Sequence, residues 1–142
     1  MKIFALVAVL FFGHVSQAQN KISVQVTNFS SNKGVCIVCL YNNATSFNGD
    51  GGTPVQCVQS LVTNGTSEAQ FENVTAGAYA IMVFHDANQN KKLDQNFLGI
   101  PKEGYGASRN KLPFASAPSF NDNKFTVQDK TTTTLRIRLR NL

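Results

Sequence analysis

The chain has 142 residues, 13 Lys+Arg against 8 Asp+Glu for a formal net charge of +5, and a hydrophobic fraction of 42%. That length supports one core rather than several domains, and so mild a basic excess excludes nucleic acid as the expected partner. Three cysteines and two histidines, one of them within the first eighteen residues, narrow the redox and general-base chemistry on offer.

The N-terminus has the order of a secretory signal: Met1-Lys2, an apolar run from Ile3 to Phe12, then Ser16-Gln17-Ala18 before Gln19. A signal peptide over residues 1–18, cleaved after Ala18, and a single domain over residues 19–142 are therefore expected. Export leads to the periplasm, the outer surface or the medium. The apolar run is too short to cross a bilayer core of about 30 Å as a helix, and no later stretch is longer, so the protein is not expected to span a membrane. Losing Lys2 lowers the net charge from +5 to +4.

Past the signal, Ile22, Val24 and Val26 alternate with polar residues, giving a strand with one buried face. After a turn over residues 28–34, the segment Val35–Tyr41 is apolar on both faces, which suits a central strand. Residues 42–53, rich in Asn, Gly and Asp, read as an irregular loop. A third strand follows from Val55 to Val62. Asn64-Gly65 is a hairpin signal leading into Ser67, Ala69 and Phe71, and Thr75-Ala76-Gly77 turns the chain into the apolar strand Ala78–Phe84. Phe125 and Val127 mark a short strand. In the last one Leu135, Ile137 and Leu139 alternate with Arg136, Arg138 and Arg140, as on the solvated face of an edge strand. The pattern predicts an all-β fold, a seven-stranded antiparallel β-sandwich.

Cys36 and Cys39 stand three apart in one strand and so point to opposite faces, while Cys57 opens a strand that could lie beside theirs. One disulfide and one buried thiol are expected among Cys36, Cys39 and Cys57, with the pairing open. A Cys-x-x-Cys redox site would open a helix, and nothing helical follows.

Between Phe84 and Phe125 the chain runs far beyond the ordinary connection of about 4–6 residues. Phe97, Leu98, Ile100, Tyr105, Leu112, Phe114 and Phe120 argue for an ordered loop over residues 85–122 that folds back on the sandwich. From Asp86 onward, Asp86, Asn88, Asn90, the Lys92 carbonyl and Asp94 repeat the oxygen spacing of the first part of an EF-hand calcium loop. Lys91 stands where that turn takes Gly, and Phe97 where it takes the bidentate Glu. With Glu103 as the only further carboxylate nearby, such a site would bind weakly, at about 10⁻⁴–10⁻³ M. The competing reading is an Asx-rich turn that caps its own backbone.

Two stretches resemble known families. Phe71–Tyr79, with its Gly77-x-Tyr79, is similar to the turn of transthyretin-like and carboxypeptidase-regulatory-like sandwiches, and the fold expected is Ig-like or transthyretin-like. The run from Tyr79 to Ser108 resembles the signature of the bacterial DUF2141 family. It contains His85-Asp86-x-Asn88-x-Asn90-x-x-Leu93-Asp94, then Asn96-Phe97-Leu98-Gly99-Ile100-Pro101-Lys102-Glu103-Gly104-Tyr105-Gly106, with Pro118-Ser119-Phe120 later. The resemblance implies an exported Gram-negative protein with no established activity. Many members carry Gly where this chain has Lys91. A bacterial source also makes the Asn-x-Ser/Thr matches at Asn28, Asn43, Asn64 and Asn73 chance events.

Two functions compete. The first is a non-catalytic binding module for an envelope or extracellular protein or glycan, its loop marked by His85, Asn96, Phe97, Glu103, Tyr105, Ser108 and Arg109. Phe97, Tyr105 and Arg109 are its candidate contacts, although Phe97 is expected to plug inward. The second is a small extracytoplasmic hydrolase using His85 with Asp86 and Glu103. Ser108 has no nucleophile-elbow context, and no catalytic residue is assigned. No resident cofactor is expected beyond weak Ca2+. A deep pocket placing His85 against a carboxylate would favour the hydrolase. His85 buried against backbone would favour the module.

Overall fold

A computed structural model describes residues 19–142; the expected signal peptide over residues 1–18 lies outside the described residues. The strands, in chain order, are β1 (Lys21–Thr27), β2 (Val35–Tyr41), β3 (Gln56–Leu61), β4 (Thr66–Phe71), β5 (Gly77–Asp86), β6 (Tyr105–Ala107), β7 (Phe125–Val127) and β8 (Thr132–Arg138). Two one-turn helices, α1 (Ala44–Phe47) and α2 (Phe120–Asn123), interrupt them. One sheet has the order β4-β1-β8; the other has β3-β2-β5-β6, with β7 pairing the start of β5.

Eight strands are thus formed among the described residues where seven were expected, because three residues of the long connection, β6, pair with β5. Nor is the pairing antiparallel throughout. β8 runs parallel to β1 from Lys21↔Thr132 to Thr27↔Arg138, since the chain returns from the far sheet through β7 and meets β1 from the same end. The Asn64-Gly65 turn forms with φ of 52° and 73°, the left-handed pair that a two-residue hairpin needs. Yet β3 and β4 then part into different sheets. The turn is a corner, held by the Ser60–Ser67 hydroxyl bond of 2.6 Å.

Alternation builds the shared core. Ile22, Val24 and Val26 of β1, Ala69 and Phe71 of β4 and Ile137 of β8 face Cys36, Val38 and Leu40 of β2 and Tyr79, Ile81 and Val83 of β5. Cys36 is a buried free thiol there; burial pushes its pKa up to about 12, against a smaller opposing effect of a hydrogen bond with Ser67. Both faces of β2 are covered, as its sequence requires. Its outer side carries a second cluster in which Ala80, Ala107, Phe47 and Phe120 gather Tyr41, Met82 and Leu112. Phe47 arrives on α1, the one ordered turn in a stretch expected to be irregular, where Asn43 caps the helix by accepting from Ser46 N–H at 3.0 Å. The disulfide joins Cys39 to Cys57, residues directly opposite in the β2–β3 register, and a bridge of this span stabilises by about 3 kcal/mol.

The sheets are tied along a seam at β6. Tyr105 and Arg140 exchange backbone hydrogen bonds of 3.1 and 2.8 Å. Gly104 and Gly106 serve this approach by their lack of a side chain: a Cβ on Gly106 would lie 2.8 Å from Ile137 Cγ2, and one on Gly104 2.5 Å from Asn141 Oδ1. Arg136 and Arg138 are exposed on the edge strand as expected, but Arg140 is not part of that solvated row. Its guanidinium donates to the carbonyls of Pro113 at 2.8 Å and Leu112 at 2.7 Å, strapping the long connection down. Asn110 covers part of the open edge, donating to Arg136 O at 3.1 Å and accepting from Arg138 N–H at 2.8 Å.

Candidate functional site

The long connection begins inside the sheet, because β5 continues through His85 and Asp86, which sit opposite Cys36 and Val35. His85 is 1% exposed. Its Nε2 lies 2.7 Å from the Lys33 carbonyl, to which it must donate, and its ring meets Phe29 edge-on at 5.1 Å. This histidine orders the strand end and faces no cleft. Gly34, at φ +71°, lets the neighbouring turn press against it: a Cβ there would overlap the Asp86 carbonyl.

From Asp86 the chain makes an Asx-rich turn in which each oxygen finds a donor. Asp86 is fully buried and accepts from Asn90 N–H at 3.0 Å and Lys91 N–H at 2.8 Å. Asn88 accepts from Asn90 N–H at 3.2 Å, and Asn90 from Lys92 N–H at 2.9 Å. The amides of Asn88 and Asn90 donate to the two oxygens of Asp94 at 2.7 and 2.8 Å. Those bonds, Asn90 first and Asn88 second, hold the Asp94 carboxyl below its ordinary range against a modest opposing effect of burial, with Lys102 and Lys92 adding a smaller pull. Glu103 joins from across the loop, accepting from Ala87 N–H at 3.1 Å and Asp94 N–H at 3.0 Å. The spacing thus does bring Asp86, Asn88, Asn90 and Asp94 together, with Glu103 beside them, and Lys92 takes part through its N–H. No cluster of three or more His, Cys, Asp or Glu side chains suited to a metal ion occurs among the described residues.

Beyond the turn a narrow hairpin projects. Gln95 pairs with Pro101, Lys102 N–H donates to Asp94 O at 2.8 Å and Asn96 N–H to Ile100 O at 2.9 Å. Asn96 Oδ1 caps the tip by accepting from Leu98 N–H at 2.9 Å and Ile100 N–H at 3.0 Å. Gly99, at φ 75°, closes it. Phe97 is 95% exposed, Leu98 68% and Ile100 43%. The expectation that Phe97 plugs inward is therefore overturned: its hairpin pairs only with itself, and the Phe97 ring stands in solvent.

The second half of the connection does dock. Tyr105, Ala107 and Ser108 are buried in or beside β6, which removes Tyr105 from the candidate contacts. Ser108 accepts from Ile81 N–H at 3.0 Å and donates to Asn123 O. Asn123, fully buried on α2, donates to Lys111 O and Ser119 O at 3.0 and 3.1 Å and accepts from Lys111 N–H and Arg109 N–H at 3.2 and 3.3 Å. Sequence reading missed this staple; the only signal was Ser119, an N-cap three residues before Asp122. Phe120 packs on Phe47 with ring centres 6.0 Å apart. Arg109 is exposed, as is Phe114 at 99%.

These positions do not assemble a catalytic set. His85 bonds neither Asp86 nor Glu103, whose carboxylates hold loop N–H groups. Ser108 is engaged by backbone and Asp94 by amides, so Ser108, His85 and Asp94 are not brought into contact as a triad. What the arrangement can do is hold a stiff, apolar-tipped projection clear of the sheets. No helix among the described residues is long and apolar enough to cross a membrane.

Compared with known proteins, residues 24–135 match a family model described as an uncharacterized protein conserved in bacteria, DUF2141. No curated protein and no solved structure matches the chain.

Proposed function

The chain belongs to the DUF2141 family, which carries no described activity, and from the geometry we propose that it is an exported, non-catalytic binding module acting through the hairpin tip Phe97-Leu98-Ile100. One observation carries this: a hydrogen-bonded projection presents large apolar side chains, Phe97 at 95% exposure, that support no core. Side chains of that kind cost solubility unless something covers them, and a rigid support lowers the entropy lost when it does. The two sheets with opposed inner faces support reading the scaffold as a sandwich of the transthyretin-like kind. The Cys39–Cys57 bridge suits an oxidising compartment outside the cytoplasm. The buried His85, with its ring on a carbonyl, favours the module over the hydrolase.

The partner lies in the envelope or outside the cell, and Phe97, Leu98 and Arg109 are the contacts. The test is retention of the protein on a washed envelope fraction, wild type against Phe97→Ala/Leu98→Ala. Wild type is expected to stay and the variant to wash through; equal retention defeats the tip as contact surface.

A second reading, weak Ca2+ uptake by the Asx turn, is favoured by Lys91, which adopts φ 62° at the position where the EF-hand turn takes Gly. The oxygens of that turn already accept from backbone N–H groups and, at Asp94, from side-chain amides, so the gain is small. A melting temperature unmoved by millimolar calcium removes it.

A further inference from the structure

The tip has a property that a merely exposed loop lacks. The N–H groups of Asn96, Leu98, Gly99 and Ile100 are all bonded within it, and Pro101 has none. Backbone donors that are already engaged cost less to bring towards hydrocarbon, and in residues 96–100 four of the five N–H groups are engaged, that of Phe97 being the exception. Around the tip the charges are sorted: Lys91, Lys92 and Lys102 are exposed, whereas the carboxylates of Asp86, Asp94 and Glu103 are turned onto the loop's own donors. The docked half repeats the pattern, with Phe114 at 99% exposure near exposed Lys111 and Arg109.

We propose that the partner is a lipid surface carrying anionic headgroups: Phe97, Leu98 and Ile100 enter its interfacial zone while Lys91, Lys92 and Lys102 stay at headgroup level. This rests on the reading of the tip as the contact surface and names what it contacts. Convexity favours a bilayer over a protein pocket, since a projection ending in one aromatic and two aliphatic groups needs a soft apolar medium and no complementary cavity. Lysine stems lie along apolar surface while their ammonium groups remain in water, and each basic group near an anionic leaflet adds attraction that salt screens.

The experiment is co-sedimentation of the whole protein, as isolated from its cells, with protein-free vesicles of equal parts phosphatidylethanolamine and phosphatidylglycerol, and with phosphatidylcholine vesicles. Wild type should sediment with the anionic vesicles and much less with the neutral ones. Phe97→Ala/Leu98→Ala should weaken partition by about tenfold or more, in line with the apolar area removed. Lys91→Gln/Lys92→Gln should weaken only the anionic binding and flatten its salt dependence. Both pairs are exposed, and unchanged melting temperatures would show that the fold is intact. Wild type failing to sediment with anionic vesicles, or sedimenting equally without Phe97 and Leu98, overturns the proposal. If it fails here yet stays on the envelope fraction in a Phe97-dependent way, the contact is a protein or glycan and only the lipid assignment falls. If neither binding depends on Phe97, both readings fall.

Discussion

Residues 85–104 and 105–123 form consecutive halves of one connection, and both carry aromatic, aliphatic and Asx side chains, yet the first projects while the second docks. The difference lies in what their backbones pair with. Past Asp86, the first half bonds largely to itself, through Asp86, Asn88, Asn90, Asp94, Asn96 and Glu103. The second pairs with β5 and Arg140 and is pinned by Asn123, so Tyr105, Ala107 and Phe120 arrive over apolar surface. An apolar side chain is buried when its backbone is delivered to a partner, and apolar composition alone does not deliver it.

The largest expected effect contrasts the two halves directly. Phe120→Ala empties part of the second cluster and should destabilise by about 3 kcal/mol, whereas Phe97→Ala should stay within about 0.5 kcal/mol of wild type. Urea unfolding of the two variants checks this, and equal losses would show that the tip packs after all. Asp86→Ala comes next. It strands the Asn90 and Lys91 N–H groups and should cost about 2 kcal/mol, with faster amide exchange confined to residues 87–103. Exchange spreading into β6 and α2 would mean that the halves are one unit.

The smallest effect concerns acid. Because Asn90 and Asn88 hold the Asp94 pKa below its ordinary value of 3.8, its contribution is present above that value and is lost as pH falls through the lower folded one. The side-chain amide resonances of Asn88 and Asn90 should therefore shift only below about pH 4. Shifts at higher pH would show that these bonds do not form.

Much of the scaffold was legible because alternation is local. Ile22, Val24 and Val26, the two-faced apolar run of β2 and the Asn64-Gly65 turn can be read within a few residues of themselves. The parallel β1–β8 pairing, the parting of β3 and β4 and the short β6 could not, since each depends on a partner far along the chain. The Asx turn was visible from its spacing, including the self-capping alternative. The fates of Phe97 and Phe120 were not, because the staple that separates them, Asn123 on Lys111, joins residues whose proximity no periodicity announces. The disulfide likewise waited on the register that sets Cys39 opposite Cys57.

The buried position of Cys36 has a consequence for the life of that disulfide. Exchange between sulfurs needs a thiolate, and with a pKa of about 12 only about one Cys36 in a hundred thousand is ionised at neutral pH. It also faces the shared core, while Cys39 belongs to the opposite side of β2. A chain with an odd number of cysteines is thereby protected from shuffling its own crosslink: the spare sulfur is chemically silent for as long as the two sheets stay shut.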